Sequence, residues 1–137
     1  IIEPIGKRCQ FLRALTEALG LSDVVTVNAR AEDYAKEHRE TFDFVTARAV
    51  ANLRVLSELC IPLVKIGGVF LAMKGSAGIE EAKEAQRAIA LLGCAAEAQD
   101  VGRLGTDSLR CNLIYRKEKP TPKQYPRNYA MIKKKPL

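Results

Sequence analysis

The sequence predicts an α/β fold with a mostly parallel sheet that ends in an antiparallel hairpin. Short β-type runs alternate with helical runs along residues 1–101, which is the signature of a parallel sheet with crossover helices. Only a short loop rich in Gly and Asp separates the last two β-type runs, near 94–101 and at 109–116. A hairpin fits that loop, whereas a right-handed crossover does not. The length of 137 residues suffices for one domain with a buried core.

The first half of the chain predicts two strands and two helices. Ile1-Ile2 is typical of the end of a strand, and the β-branched run at 24–27 forms the next strand. Between them, residues 7–19 place apolar side chains at helical spacing, and Gly20 supplies the stop. A second, short helix follows near 31–38. The residues that share one face of the first helix are Cys9, Leu12, Leu15 and Leu19.

The second half continues the alternation. A strand at 42–47 precedes a helix, after which Gly67-Gly68 turns the chain into a continuous apolar strand at 69–73. A longer helix spans about 79–92, begins with acidic residues that suit its N-terminal dipole, and is capped by Gly93. The core-facing positions of these two helices are Leu53, Leu56 and Leu59, and then Ile79, Ala82, Ala85, Ile89 and Leu92.

The net charge of +6 is unevenly distributed along the chain. Residues 1–115 contain fourteen basic and fifteen acidic residues, whereas residues 116–137 contain eight basic residues against Glu118 alone. We therefore divide the chain into a domain at 1–115 and a basic tail at 116–137, whose prolines exclude a regular helix or central strand. The tail is either a solvated end or a flexible polycation for nucleic acid. Its candidate nucleic-acid contacts are Lys123, Arg127, Lys133, Lys134 and Lys135.

Cysteine usage and hydropathy indicate a soluble, cytoplasmic protein with neither a metal site nor a membrane partner. The four cysteines lack the clustered spacing of zinc ligands, so we expect buried, reduced thiols. No apolar run approaches the roughly 20 residues of a membrane span. The start at Ile1 has no basic n-region and lies inside an apolar stretch, which indicates truncation rather than a signal peptide. The cysteines are Cys9, Cys60, Cys94 and Cys111.

Two acidic residues follow predicted strands at the edge where doubly wound sheets bind ligands. Glu3 lies at the carboxyl end of the first visible strand, where an acidic residue accepts hydrogen bonds from ribose hydroxyls. Ala31-Glu32 follows the second strand, where a backbone N–H and a carboxylate can contact an adenine edge. The alternatives are a solvated carboxylate at Glu3 and capping of the short helix by Glu32 and Asp33. The Gly-rich turn that would accompany Glu3 has no counterpart in the sequence.

Arg48 ends an apolar strand pattern at 42–47 and is the sharpest candidate. A charge in a buried strand must be paired, because an isolated buried charge is very costly. One interpretation is a structural salt bridge with Glu58 or Asp43. The other is a guanidinium that points into the ligand crevice and binds a carboxylate or phosphate. No catalytic residue is identified, since nothing resembles a nucleophile–base pair.

The order of elements resembles that of class I methyltransferases, an analogy that concerns fold alone. The residues also resemble the ribosomal RNA small subunit methyltransferase G family, also called glucose-inhibited division protein B, over essentially the whole chain. The most specific matches are Thr46-Ala47-Arg48-Ala49-Val50 and Tyr125-Pro126-Arg127. Further matches are Lys7-Arg8, Phe11-Leu12, Arg30-Ala31-Glu32, Leu56-Ser57-Glu58-Leu59-Cys60, Pro62-Leu63-Val64-Lys65, Gly67-Gly68, Lys74-Gly75 and Thr121-Pro122-Lys123-Gln124.

This resemblance implies transfer of a methyl group from S-adenosylmethionine to N7 of a guanine in 16S ribosomal RNA, free or in the small-subunit particle. It implies that Glu3, Ala31, Glu32 and Arg48 occupy cofactor-binding positions. The family's Gly-rich loop and first strand are missing, so we expect a strand and Gly-rich turn upstream and an inactive fragment. The alternatives are another class I methyltransferase, a nucleotide-binding oxidoreductase, or a non-catalytic RNA-binding module.

Overall fold

A computed structural model describes residues 1–104 and 108–137 of the chain. Within these residues the helices are α1 (Gly6–Ala18), α2 (Ala31–Glu37), α3 (Leu53–Cys60), α4 (Gly78–Leu91) and α5 (Tyr129–Lys134). The strands are β1 (Phe42–Arg48), β2 (Val64–Lys74), β3 (Cys94–Leu104) and β4 (Ser108–Lys117). The predicted helix–strand alternation is therefore confirmed for most of the chain. Part of the predicted Gly- and Asp-containing loop, residues 105–107, lies outside the described residues.

The sheet has the strand order β1-β2-β4-β3. β1 and β2 are parallel, whereas β4 is antiparallel to both β2 and β3. The α/β class and the C-terminal hairpin are confirmed. The strands expected at Ile1-Ile2 and 24–27 are reduced to one parallel bridge between Ile2 and Val27. This bridge is separate from the four-stranded sheet, and Val25 is 71% exposed. Two extended segments alone do not form a stable sheet, because stability requires pairing with further strands.

The hydrophobic core lies between one face of the sheet and helices α3 and α4. Phe70 and Ala72 of β2 are fully buried there, and Tyr115 of β4 stacks on Phe70 with ring centroids 5.9 Å apart. The predicted stripes of both helices contribute to this core. Their buried members are Leu53, Leu56, Leu59, Ala85, Ile89 and Leu92.

The apolar face of α1 is largely exposed, although Cys9 is buried as predicted and Leu12 is half-buried. Leu15 is 40% exposed and Leu19 62% exposed, whereas Cys9 is 1% exposed. Helical periodicity identifies a face that favours burial, but it does not supply the element that covers that face. Strand β1 shows the same exposure, with Phe44 69% exposed, because β1 is an edge strand of the sheet.

The two glycines expected to precede a strand lie inside β2. The β1–β2 register passes from Phe42–Val64 to Phe44–Val69, so residues 65–68 form an irregular excursion. At Gly68 a Cβ atom would lie 2.7 Å from the carbonyl oxygen of Asp43, which leaves no room for any side chain. A pattern of apolar residues cannot reveal this bulge, because its cause is the close approach of two backbones.

The C-terminal segment packs on the domain, so the expectation of an extended, helix-free tail is wrong. Arg39 donates hydrogen bonds to the carbonyl oxygens of Thr121, Pro122 and Tyr125. Lys117 is 1% exposed and contacts the Glu40 carboxylate at 3.2 Å. Burial lowers the pKa of Lys117, while the charge and hydrogen bond of Glu40 act in the opposite direction.

A second set of contacts fixes the last residues and the helix α5. Arg127 binds both carboxylate oxygens of the fully buried Glu58, through Nε at 2.8 Å and Nη2 at 2.6 Å. Arg54 donates to the carbonyl oxygens of Pro136 and Leu137. The buried Ile132 then places one face of α5 in the core. These partners lie far apart in sequence, which explains why local charge and proline content predicted a free tail.

The Glu58–Arg127 pair generates a stability prediction. In Arg127→Ala the Glu58 carboxylate stays buried without its guanidinium partner, so the free energy of unfolding should fall by about 3–5 kcal/mol. Urea unfolding of the protein measures this loss. The matched control is Arg116→Ala, which breaks an exposed pair with Glu97 at 2.7 Å and should cost less than about 1 kcal/mol. Equal losses in the two variants would contradict the structural role of Arg127.

Candidate functional site

Glu3 lies at the carboxyl end of the Ile2–Val27 bridge. Its backbone N–H donates to the carbonyl of Val27 at 3.0 Å, and its carbonyl accepts from Asn28 Nδ2 at 2.9 Å. One carboxylate oxygen, Oε1, accepts the backbone N–H of Ile5 at 2.8 Å and so holds the side chain at the start of α1. The second oxygen has no hydrogen bond within residues 1–104 and 108–137, and it can accept one from a ligand.

Glu32 is buried in the first turn of α2. Its side chain is 6% exposed, and the nearest cation is Arg30 Nη1 at 3.8 Å. The helix begins without a side-chain hydrogen bond from its N-cap residue Arg30, and no capping contact of Glu32 is found in the described part of the chain. Glu32 and Asp33 both lie in the first turn of α2, where the helix dipole favours acidic residues, so the alternative of an acidic first turn also stays a prediction. A buried carboxylate with one distant cation keeps acceptor capacity for hydroxyl or amide donors of a ligand.

Arg48 is the last residue of β1 and is exposed rather than buried. Both partners of the predicted salt bridge bind other cations, since Glu58 pairs with Arg127 and Asp43 with Lys65. That interpretation of Arg48 is therefore wrong. The premise of a buried strand failed because β1 lies at the edge of the sheet. Within the described residues no carboxylate pairs with Arg48, so its guanidinium can take an anionic ligand.

The loop after Arg48 is held in an unusual conformation. Ala49 has a φ of 56°, a left-handed conformation that costs of order 1 kcal/mol for a residue with a Cβ. Lys74 Nζ fixes this loop by donating to the Ala51 carbonyl at 2.8 Å and pairing with Glu81 at 2.7 Å. Glu81 also accepts the backbone N–H of Leu53 at 2.7 Å. The sequence did not reveal the left-handed conformation of Ala49 or the contacts of Glu81 with this loop. Neither a strained backbone nor a hydrogen bond to a distant residue produces a local sequence pattern.

Arg48 belongs to a row of side chains that crosses the sheet on its less covered face. The register pairs Arg48 with Met73, Met73 with Asn112, and Asn112 with Asp100, which places all four on one face. This row borders a concavity of about 680 Å³ at the carboxyl ends of β1 and β2. The volume lies within the range of about 300–1,000 Å³ that small-molecule sites occupy.

The structure brings the predicted cofactor residues to two places. Glu3 and Glu32 flank the Ile2–Val27 bridge and the segment that follows it, whereas Arg48 lies at the end of β1. No hydrogen bond or ion pair joins Arg48 to Glu3 or Glu32 in the ranges that the structure describes. Ala31 begins α2 and packs against the hydrophobic core. The roles of these four residues stay predictions.

The predicted nucleic-acid contacts differ in their availability. Lys123, Lys133, Lys134 and Lys135 are exposed. Arg127 is bound to Glu58, whose hydrogen bonds and charge raise the pKa of the guanidinium, although its own partial burial opposes them. A guanidinium committed to a buried carboxylate has few donors left for a phosphate. We therefore do not retain Arg127 among the candidate contacts.

All four cysteines are buried, as predicted. Burial raises the pKa of the Cys60 thiol to about 12 and that of Cys94 to about 11. At neutral pH these thiols stay protonated, so neither supplies a nucleophile. In the described residues no group of three or more His, Cys, Asp or Glu side chains is arranged to hold a metal ion. None of the helices described above is both long and apolar enough to cross a membrane.

Comparison with known proteins identifies close relatives of the whole chain. A family model described as rRNA small subunit methyltransferase G matches residues 1–107. The Ribosomal RNA small subunit methyltransferase G of Geobacillus kaustophilus is 44% identical over 140 residues, and that of Staphylococcus carnosus is 47% identical over 141 residues. Each alignment covers 100% of this chain and 59% of the relative. The chain thus spans about three-fifths of the length of these relatives.

Solved structures show the same fold at low sequence identity. M. jannaschii TYW2 in complex with AdoMet aligns with a TM-score of 0.60 and 16% identity, covering 85% of this chain and 56% of that one. An rRNA methylase from Streptococcus thermophilus aligns with a TM-score of 0.62 and 10% identity, covering 86% of this chain and 72% of that one. The predicted class I methyltransferase fold is confirmed by these neighbours.

Proposed function

Because the chain belongs to the rRNA small subunit methyltransferase G family, we propose that the intact enzyme methylates N7 of a guanine in 16S ribosomal RNA. The methyl donor in this proposal is S-adenosylmethionine, and the RNA is either free or part of the small-subunit particle. The observation that carries the proposal is the 44–47% identity to curated relatives over the whole chain.

The described residues fit the chemical groups of this cofactor. The buried Glu32 carboxylate and the second oxygen of Glu3 offer acceptors for hydroxyl and amino donors of an adenosine group. Arg48 offers a planar bidentate donor for the carboxylate of an amino acid group. S-adenosylmethionine would supply the activated methyl group. Residues of this chain would bind and orient it, while the Gly-rich contacts of the family have no counterpart in residues 1–137.

The reaction requires little acid–base chemistry from the protein. N7 of guanine is a neutral ring nitrogen, and its lone pair would form the new C–N bond as the sulfur–methyl bond breaks and S-adenosylhomocysteine leaves. No proton therefore has to be removed beforehand. Alignment of the nucleophile with the methyl group is then the main task, and orientation alone can supply several kcal/mol of rate enhancement.

Methyl transfer by the intact enzyme tests the proposal directly. Purified enzyme is incubated with isotopically labelled S-adenosylmethionine and either deproteinised 16S ribosomal RNA or small-subunit particles. Nuclease digestion and mass spectrometry should locate the label in N7-methylguanosine at one nucleotide. Label in a different nucleoside would contradict guanine-N7 specificity, and binding of a nicotinamide dinucleotide instead of S-adenosylhomocysteine would favour an oxidoreductase.

The position of Arg48 generates a prediction for cofactor binding. In the intact enzyme, Arg48→Ala should weaken S-adenosylmethionine binding by about 1.5–3 kcal/mol, or about 10- to 150-fold, because a charge-assisted hydrogen bond is removed. Isothermal titration calorimetry measures the change. The exposed Arg87 of α4 provides a matched control, and Arg87→Ala should bind with unchanged affinity. Unchanged affinity of the Arg48 variant would assign this residue to RNA binding or structure.

The exposed lysines at the end of α5 and directly after it generate a prediction for RNA binding. Replacing Lys133, Lys134 and Lys135 by Gln should reduce RNA affinity and lower the slope of log affinity against log salt by about 2, which is about 0.7 per phosphate on a single strand. Cofactor affinity should stay the same. A control that replaces Lys36, Lys83 and Arg87 by Gln removes the same charge elsewhere on the surface. If the salt slope of the Lys133–Lys135 variant is unchanged, α5 is a solubilising element without a role in RNA binding.

A further inference from the structure

The β3–β4 hairpin extends past the end of its neighbour β2. The last described pair between β2 and β4 joins Lys74 to Cys111, whereas β3 and β4 stay paired beyond that point. The overhang contains the pairs Gly102–Arg110 and Arg103–Leu109. Because β2 ends at Lys74, this part of the hairpin projects over the same edge of the sheet at which Arg48 lies.

The overhang forms one wall of the concavity beside Arg48. Both arginines of the hairpin, Arg103 and Arg110, line it together with Arg48. Arg110 is two residues from Asn112 on the same strand and therefore lies on the face that carries Arg48. Arg103 belongs to the opposite face of the hairpin. It still lines the concavity, because β2 ends at Lys74 and no longer lies between the two faces at this position. The hairpin thus brings two cations to a place where the sheet has ended.

The charges around this concavity do not cancel. Lys74 and Glu81 neutralise each other through their 2.7 Å ion pair. Asp100 accepts a hydrogen bond from the Asn112 amide at 3.3 Å and is the other carboxylate among the residues that line the concavity. Arg48, Arg103 and Arg110 therefore outnumber the remaining negative charge by three to one. The excess positive charge favours an anionic ligand over a neutral one. Because the arginines lie on three different strands, an extended anion can contact all of them.

We propose that Arg103 and Arg110 bind backbone phosphates of single-stranded ribosomal RNA next to the nucleotide to be methylated. This proposal rests on the proposed function, which makes RNA the substrate, and it adds a binding surface on the domain. Phosphate contacts fix the register of a nucleic acid on a protein, while base contacts supply sequence recognition. The two arginines are therefore positioning residues. They hold the strand across the concavity so that one base can enter it beside Arg48.

The alternative ligand for these arginines is the cofactor carboxylate. The register argues against it, because Arg48 already stands at the end of β1, closer to the parallel strands whose ends bind cofactors in this class of sheet. Arg110 lies on β4, which is separated from β1 by β2, and Arg103 lies on β3, which is separated from β1 by β2 and β4. A ligand that reached them all would have to be longer than one amino acid group, as a nucleotide strand is.

The test measures RNA binding without methyl transfer. The intact enzyme and its Arg103→Gln/Arg110→Gln variant are titrated with a fluorescently labelled single-stranded oligoribonucleotide at several salt concentrations. Loss of two phosphate contacts should lower the salt slope by about 1.4 and the affinity by about 15-fold at 0.15 M salt. Calorimetry with S-adenosylhomocysteine should give the same affinity for both proteins. The control Lys83→Gln/Arg87→Gln removes two exposed charges from α4 and should change RNA affinity less than twofold.

A charge-retaining variant separates electrostatics from loss of structure. Arg103→Lys/Arg110→Lys should keep most of the salt slope, since lysine also neutralises phosphates. The proposal is overturned by an unchanged slope in the Gln variant, by an equal loss in the α4 control or in the Lys variant, or by weaker S-adenosylhomocysteine binding. Absence of methyl transfer by the unaltered enzyme would overturn the proposed function instead, because the RNA titration does not depend on it.

Discussion

The pairing of both edges of β2 is the constraint on which the rest of the structure depends. β1 lies parallel to one edge and β4 antiparallel to the other, so β2 joins the βα part of the chain to the hairpin. Its buried residues Phe70 and Ala72 form the floor on which α3 and α4 pack. β2 ends at Lys74, whereas the β3–β4 hairpin continues beyond that point. Arg48 and the end of the hairpin therefore border the same concavity.

The C-terminal segment shows how charged residues can organise a chain without contributing much net stability. Arg39 and Arg127 each bind groups that are more than 65 residues away in sequence. A buried ion pair such as Glu58–Arg127 recovers in attraction roughly what it loses in hydration, so its main effect is to exclude other arrangements of the segment. The basic residues of the tail therefore fall into two groups, those that hold the chain and those that remain exposed.

Local periodicity predicted where the helices and strands lie, whereas contacts between segments distant in sequence determined which of their residues are buried or paired. Alternation of β-branched and helical runs located every helix from α1 to α4, and the short final loop predicted the hairpin, because these features depend on residues close in sequence. The exposure of Leu15 and Phe44, the bulge at Gly68 and the partners of Glu58 depend on distant segments. In the candidate site, strand ends located Glu3, Glu32 and Arg48. Arg103 and Arg110 were missed because their importance comes from where β2 stops.

The two groups of exposed cations lie on different elements of the fold. Helix α5, which carries Lys133 and Lys134 and is followed by Lys135, packs on α3 and so lies with the helices that cover one face of the sheet. Arg103 and Arg110 stand at the carboxyl edge, beside a row of side chains on the opposite face. Arg54, which follows the loop after Arg48, donates to the carbonyl oxygens of Pro136 and Leu137, so the C-terminal segment is also anchored near that edge. Under the proposed function, both groups of cations would therefore border the region where the RNA binds.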